Sequence, residues 1–422
     1  MTAATEVATV ESITVPAGNP RTEPRISQGI TPPARASMYV EAFRDWGTLS
    51  QHLPAWEDLA RDAVEPNVFY EPWMLEPALR HFGEGIDFRF LLIFAPDLGA
   101  PLRPPRLVAF FPLQRTRGYR GLPTATLRLW RHIHCFLSTP LIRRGFVADA
   151  WGTLFNWLKD TGESLLELSN IHASGPVFTH LLDALWMREQ QNWTFESFAR
   201  ALMVRGENGE QYLSQSTSGG YRKELRRLWR RLGERGSLEF RALETPAALD
   251  EWVASFLELE KKGWKGVDGG ALARDSRGAA FFRAIVAAAG ERGQLCLMSL
   301  CLDGRPIAMK CNFTSGEGAF AFKIAFDESF ARSSPGVQLE LENVRWFHAQ
   351  SKLRWMDSCA DPCHPMIGRV WSERRVMSSM LISSGSRRGD LAVAMMPAFR
   401  GFKRLFKRSR RRESSLGFPG GE

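Results

Sequence analysis

One stretch of sequence, residues 294–313, constrains the fold more than any other feature. Two apolar runs in "QLCLMSLCLDGRPIAMKCNF" flank the pair Asp303-Gly304. Because an Asp-Gly pair readily adopts the positive φ angles of a type I′ turn, this pattern predicts two antiparallel strands. A third apolar run, "GAFAFKIAF" at 318–326, follows the turn "TSGEG", so we predict a β-meander.

A loop, a helix and a further strand follow the meander. The loop "DESFARSSPG" (327–336) precedes a helical pattern, "VQLELENVRWFHAQ", which ends before the strand "LRWMDS" (353–358). The same order of helices, meander, loop, helix and strand recurs in residues 42–204, where we predict helix from 42 to 82 and a strand at 125–134. The chain is therefore predicted to be α+β and built from two similar units.

Length and composition divide the chain further. Its 422 residues, 44% hydrophobic and 24% charged, have the balance of a globular protein with more than one domain. We predict a disordered leader (1–37), an N-terminal domain (38–205), a C-terminal domain (206–385) and a basic tail (386–422). No apolar run approaches the ~20 residues that span a bilayer, and six scattered cysteines favour the reducing cytoplasm.

The positive charge is concentrated in two segments. The chain has a formal net charge of +9, of which residues 386–422 contribute +7 and residues 221–235 contribute +5. The remainder is mildly acidic, which argues against a broad nucleic-acid-binding face. Local anionic partners are expected instead, including an anionic membrane surface for the tail.

The segment 295–357 resembles the CelD/BcsL-like branch of the GNAT acyltransferases, which is related to the FemAB-type transferases. Four features carry the resemblance, namely the hairpin "DGRPIA" (303–308), the turn "DESF" (327–330), "SPG" (334–336) before a helix, and Asp357 ending the next strand. The resemblance covers residues 200–385 well and 45–200 more loosely. It implies two tandem GNAT-like domains with mixed, mostly antiparallel sheets flanked by helices, and acyl-CoA as a cosubstrate.

The start of the helix after "SPG" is the predicted donor site. Free backbone amides and the positive end of the helix dipole favour an anion such as a pyrophosphate there, although an ordinary helix cap gives the same pattern. The resemblance implies that the preceding strand pairs with the pantetheine arm of CoA. The predicted cofactor-binding residues are Lys323, Ile324, Phe326, Ser333, Ser334, Gly336 and Val337.

Direct attack on a thioester needs a proton acceptor but no covalent nucleophile, and three side chains are candidates for it. They are Asp357, Asp327 and His364, and each has a structural alternative as an ion pair, a loop cap or a surface residue. Cys359, Cys363 and His364 form one short cluster without a second pair of ligands, so no metal site is predicted.

The resemblance implies transfer of an acyl group from acyl-CoA to an amine or hydroxyl of a small polar acceptor. Guanidinium and aromatic side chains are predicted to bind this acceptor, and the alternative is that they form a solvated or ion-paired surface. The predicted substrate-binding residues are Arg222, Arg226, Arg369, Trp371 and Arg374. The resemblance associates such an enzyme with cell-envelope or exopolysaccharide precursors. Two other functions stay open, a FemAB-type aminoacyl-tRNA-dependent ligase and a non-catalytic scaffold on a membrane surface.

Overall fold

The computed structural model describes residues 37–97, 104–243, 248–263, 272, 275–364 and 366–398. All but the last residue of the predicted leader, and the tail beyond residue 398, lie outside this range. Thirteen strands of the described residues form one sheet. They are β1 (Tyr39–Phe43), β2 (Phe88–Ala95), β3 (Arg106–Thr116), β4 (Thr126–Leu129), β5 (Leu141–Ile142), β6 (Leu165–His172), β7 (Asn192–Val204), β8 (Leu238–Leu243), β9 (Leu295–Leu302), β10 (Arg305–Ser315), β11 (Gly318–Phe326), β12 (Trp355–Asp357) and β13 (Glu373–Ser383).

Helices flank this sheet, and none of those described is both long and apolar enough to cross a membrane. They are α1 (Trp46–Leu49), α2 (Leu53–Arg61), α3 (Pro72–Phe82), α4 (Val147–Asp160), α5 (Pro176–Met187), α6 (Gly209–Ser216), α7 (Gly219–Gly233), α8 (Leu249–Lys262), α9 (Ser276–Glu291), α10 (Pro335–Ala349), α11 (Ile367–Val370) and α12, described over 387–398.

The predicted meander is present as β9, β10 and β11. Asp303 and Gly304 have φ angles of 50° and 78°, as a type I′ turn requires at both central positions. The two strands that they join pair antiparallel, and β10 pairs antiparallel with β11. The predicted mixed, mostly antiparallel sheet flanked by helices is therefore confirmed.

Two boundaries of secondary-structure elements in the first half of the chain (residues 38–205) differ from the sequence-based prediction. Residues predicted to begin a helix at Ala42 belong instead to β1, because this segment pairs along the edge of β2 and Tyr39 stacks on Phe94. The strand predicted to reach residue 134 ends at Leu129, after which the Trp130 amide bonds to the Pro112 carbonyl. At Ala42, pairing with β2 overrides the local pattern.

The two halves exchange strands at the centre of the sheet. The order is β1-β2-β3-β4-β6-β13-β7-β12-β11-β10-β9-β8, with β5 paired to β3. The last strand, β13, thus lies between β6 and β7 of the first half, while β7 extends to pair with β12 of the second half. The predicted boundary at 205/206 falls between β7 and α6, and it stays a prediction.

Candidate active site

A gap opens in the sheet between β11 and β12. These strands run parallel but pair only through Gly318–Phe320 and Trp355–Asp357, whereas β11 continues to Phe326. The first half has a corresponding parallel pair, β4 and β6, but there β4 ends at Leu129, one residue after the paired segment. Strand β4 therefore leaves no open edge comparable to that of β11.

A cleft of about 410 Å³ lies beside this open edge. Its walls are the end of α8, the C-terminal part of β11, the start of α10, and the residues His364 and Met366. Apolar side chains such as Leu259, Val337 and Met366 dominate these walls. Such a mainly apolar cleft with few polar groups is typical of a small-molecule site.

The start of α10 forms one wall of the cleft. Ser334 precedes it in the left-handed conformation, with φ 51° and ψ 50°, and its side chain makes no capping hydrogen bond. Pro335 then begins the helix. Pro335 has no amide hydrogen, and the Val337 amide donates to the Ser334 carbonyl at 3.0 Å. The Gly336 amide and the partial positive charge of the helix start therefore favour an anion at this wall.

Five of the seven predicted donor-site residues line the cleft. They are Ile324, Phe326, Ser334, Gly336 and Val337. Ser333 ends the preceding 3-10 turn and is not among the lining residues that the structure describes.

Lys323 lies on the other side of β11, away from its predicted position in the donor site. Its amine is 5.9 Å from the ring centroid of Phe136, a residue of the first half. Burial lowers the pKa of the Lys323 amine, and the charge of Glu260 partly opposes this effect. Lys323 therefore faces the junction between the halves rather than the start of α10.

Asp357 is fully buried and holds two arginines. Its Oδ2 accepts hydrogen bonds from Arg200 at 2.7 Å and from Arg375 at 2.8 Å. Burial acts to raise the pKa of Asp357, but these two guanidinium groups outweigh it, so that the pKa is lowered. The ion pair that was the structural alternative for Asp357 is thus present, and this geometry disfavours Asp357 as a proton acceptor.

The other two predicted proton acceptors differ in position. Asp327 caps the 3-10 turn through the Ser329 amide and pairs with Arg305 at 2.9 Å. Although burial raises its pKa, the bonds to Ser329 and the charge of Arg305 lower it overall. His364 lines the cleft, and its Nδ1 is 3.5 Å from the Ile367 amide.

Two of the predicted acceptor-binding arginines lie at a different groove. Arg222 and Arg226 line a groove of about 380 Å³ between α6, α7 and α10. The Arg222 guanidinium donates to the carbonyls of Ser214 and Thr217, at 2.8 and 2.5 Å, and so caps the end of α6. This placement gives Arg222 a structural role and separates both arginines from the cleft.

The remaining three predicted acceptor-binding residues come after Met366, the last cleft-lining residue in the sequence. Trp371 is in the core, where its Nε1 donates to Glu340 at 3.0 Å, so burial keeps it from a solvent-borne acceptor. Arg374 donates to the carbonyls of Trp371 and Gly368. Arg369 is exposed on α11. Burial raises the pKa of the Tyr221 hydroxyl, and the charge of Arg369 partly opposes this effect.

Sequence reasoning missed one polar residue in the cleft wall, Glu260. It lies on α8, four residues after Phe256 and seven after Val253, both of which are buried. This helical spacing places a carboxylate on a buried face, and it is the signal that identifies Glu260 in the sequence.

A family model matches much of the second half of the chain. Residues 219–364, about a third of the chain, match the model of a family described as acetyltransferase (GNAT) domain. This span begins at α7 and ends at His364, so it contains nearly all of the cleft. No curated protein matches the sequence.

Structural comparison aligns several solved structures with about 80% of this chain. FemX has a TM-score of 0.52 and 11% identity, covering 81% of this chain and 96% of its own. A conserved protein of unknown function from Bacteroides thetaiotaomicron VPI-5482 has a TM-score of 0.48 and 10% identity, with 79% and 96% covered. A tandem GNAT protein from the clavulanic acid biosynthesis pathway has a TM-score of 0.39 and 13% identity. The alignment covers 82% of this chain and 99% of that protein. Residues 219–364 therefore match the family model of a GNAT acetyltransferase domain, and the described fold is similar to that of FemX.

Proposed function

We propose that the chain is an acyltransferase that moves an acyl group from acyl-CoA to an amine or hydroxyl of a small polar acceptor. The observation that carries this proposal is the open edge of β11 beside the start of α10. A strand edge and a helix start together suit a donor that has both amide groups and a diphosphate.

The donor fits the residues that line the cleft. The Gly336 amide and the positive end of the α10 dipole, next to Ser334, suit the diphosphate of CoA. Beyond Phe320, alternate residues of β11 direct their backbone groups toward the open edge, where they can pair with the pantetheine arm. An amide from this edge can also stabilise negative charge on the thioester oxygen during acyl transfer.

The acyl transfer itself requires positioning and a proton acceptor rather than a covalent nucleophile. Among the three predicted acceptors, His364 is the one that lines the cleft, and we propose that it exchanges a proton there. Asp357 and Asp327 are weaker candidates, because arginines lower the pKa of both carboxyls.

The acceptor is proposed from the resemblance and from the exposure of Arg369 on α11. A cell-envelope or exopolysaccharide precursor suits the CelD/BcsL-like resemblance, and the exposed Arg369 is available to a polar acceptor. The tRNA-dependent alternative predicts binding to tRNA that weakens steeply with salt and no affinity for CoA. The membrane-scaffold alternative predicts liposome binding without acyl-CoA affinity.

Gly336→Asp tests the donor site. A Cβ at Gly336 would lie 3.2 Å from the Phe326 ring, so the new carboxylate enters the cleft wall. Because it adds negative charge where the diphosphate is proposed to bind, we expect acetyl-CoA affinity to fall at least ~30-fold, the equivalent of about 2 kcal/mol. Isothermal titration calorimetry measures this change.

Gly219→Asp is the matched control. Gly219 is in the first turn of α7, is exposed, and has no atom within 4 Å of an added Cβ. The same charge at another helix start should leave acetyl-CoA affinity unchanged. Wild-type affinity in Gly336→Asp would place the diphosphate elsewhere.

A further inference from the structure

Helix α12 has an apolar outer face that is open to solvent. Its inner face, formed by Ala392, Val393 and Met396, packs in a core cluster that covers β7 and β13. Leu391 and Met395 lie one helical turn apart on the opposite face and are 63% and 40% exposed. Because two large apolar side chains in adjacent turns form a continuous stripe, this face is a candidate interaction surface.

Three exposed arginines lie close to this stripe. Arg387 and Arg388 precede Leu391 by one turn of α12. Arg120 belongs to the turn after β3, and its guanidinium is 4.8 Å from the ring centroid of Phe195, a member of the core cluster beneath α12. None of the three arginines forms an ion pair with a carboxylate among the described residues. Their charge is therefore available to an anionic partner.

The acidic residues near this surface do not neutralise it. Glu167, whose charge acts on the Tyr119 hydroxyl in the same core cluster, pairs with Arg128 at 3.7 Å. Helix α12 has one acidic residue, Asp390, against its two arginines. The sequence of residues 399–422 then adds eight Lys or Arg against two Glu, a net charge of +6. The apolar stripe thus lies within a cationic part of the chain.

We propose that the outer face of α12 docks on the surface of an anionic phospholipid membrane. Leu391 and Met395 enter the boundary between headgroups and acyl chains, and the arginines beside them contact lipid phosphates. The basic residues of 399–422 add electrostatic attraction to the same surface. This inference goes beyond the proposed acyltransferase function and does not depend on it.

Charge favours a membrane over the other molecules that could cover the stripe. Residues 399–422 carry the same sign of charge as Arg387 and Arg388, so repulsion opposes their folding back onto α12. A second copy of the chain would bring an equally cationic face. A nucleic acid would compensate the charge, but its phosphate backbone offers no apolar partner for Leu391 and Met395. An anionic bilayer supplies both kinds of contact.

The double variant Leu391→Ser/Met395→Ser tests this surface in the full-length protein. Both side chains are exposed, so we expect the thermal unfolding midpoint to stay that of wild type. For vesicles of phosphatidylglycerol and phosphatidylcholine in a ratio of about 3:7, at low salt, we expect the partition coefficient to fall ~10-fold. Co-sedimentation measures this change. Wild type should not bind vesicles of phosphatidylcholine alone.

The matched control, Leu182→Ser/Met187→Ser, removes the same two residue types from α5. Leu182 and Met187 are 43% and 68% exposed, but α5 packs in a different core cluster from α12. We expect this variant to bind the vesicles as wild type does.

Two further variants test the electrostatic part of the proposal. Arg387→Gln/Arg388→Gln should lower the partition coefficient at least ~10-fold, because each basic residue near an anionic surface strengthens binding. Deletion of residues 399–422 should also lower it at least ~10-fold.

Four results would overturn membrane docking. The first is wild type that does not bind the phosphatidylglycerol vesicles, or a Leu391→Ser/Met395→Ser variant that binds them as wild type does. The second is stronger vesicle binding after deletion of residues 399–422, which would show that this segment covers the stripe. The third is a dimer in light scattering that the serine pair converts to a monomer. The fourth is binding to tRNA that the serine pair abolishes, without binding to vesicles.

Discussion

At the scale of single residues, the Asp357 carboxylate joins parts of the chain that are distant in sequence. Arg200 comes from β7 and Arg375 from β13, and both donate to the same carboxylate oxygen. The other oxygen accepts from the Cys359 amide at 2.9 Å. This carboxylate therefore anchors the region where the two exchanged strands meet β12.

Asp357→Asn should destabilise the protein strongly. The substitution keeps the shape of the side chain but leaves two arginines buried without their counter-ion, and we expect the free energy of unfolding to fall by about 3–5 kcal/mol. Urea denaturation followed by circular dichroism measures the change. A loss below ~1 kcal/mol would show that water or another group compensates the arginines.

The contribution of Asp357 should also depend on pH in a defined direction. Its pKa is lowered in the folded state, so its stabilising effect is present above the unfolded-state pKa of about 3.9 and is lost as the pH falls through the folded-state value. The difference in unfolding free energy between wild type and Asp357→Asn should therefore be constant from pH 7 to about 5 and shrink below about 4. A difference that grows on acidification would contradict this assignment.

At the scale of secondary-structure elements, a buried ion pair attaches α10 to the meander. Lys310 of β10 and Glu340 of α10 are 2.9 Å apart, with side-chain exposures of 1% and 0%. Glu340 also accepts from Trp371 and from Asn343, which is on the same helix. Since the start of α10 is the proposed diphosphate site, these contacts position the site as well as the core.

Lys310→Met should therefore cost more stability than removal of a surface ion pair from the same strand. We expect the unfolding free energy to fall by about 3–5 kcal/mol, because Glu340 is left buried and charged. The comparison is Arg305→Met, which breaks the pair with Asp327 but affects an arginine that is 70% exposed, and this change should cost less than about 1 kcal/mol. Equal losses in the two variants, measured by urea denaturation, would contradict the assignment.

At the scale of the whole molecule, the exchange of β7 and β13 makes the two halves depend on one another. Strand β13 pairs with both β6 and β7, and it contributes Met377, Met380 and Ile382 to the core. Without it, the first half would expose two strand edges and part of its hydrophobic core. The halves are thus joined by strand pairing in addition to the chain connection.

Deletion of residues 373–422 should consequently abolish cooperative folding of the entire chain, including the first half. The control is deletion of residues 399–422, which leaves every described strand in place and should keep the wild-type unfolding midpoint. Thermal unfolding followed by circular dichroism compares the two proteins. A cooperative transition in the shorter protein would show that the first half folds without β13.

Several features of the site follow from short-range sequence patterns. The Asp303-Gly304 turn, the meander and the helix that begins at "SPG" depend on local backbone preferences and periodic burial, and each is where the pattern predicts it. Ser334 and Gly336, which are predicted to bind the donor, line the cleft because they occupy that helix start.

Contacts between residues that are distant in sequence determine the roles of the other candidate site residues. Arg222 and Trp371 have the polar and aromatic character of ligand-binding residues, but one caps α6 and the other packs beside Glu340. In the sequence, Glu260 is one of several charged residues of a helix. In the structure, it accepts a hydrogen bond from the Leu272 amide and lines the cleft with residues of β11. Burial and hydrogen-bond partners depend on distant segments, so local pattern does not specify them.

The amino-acid sequence alone therefore determined the α+β class, the order of elements and the helix start proposed for the donor, because turns, caps and periodicity act over a few residues. Only the tertiary structure decided the exchange of β7 with β13, the opening beside β11 and the pairing of Asp357 with two arginines. Each of these depends on which strand edges meet, and that is settled by the free energy of the whole sheet and its core rather than by any one segment.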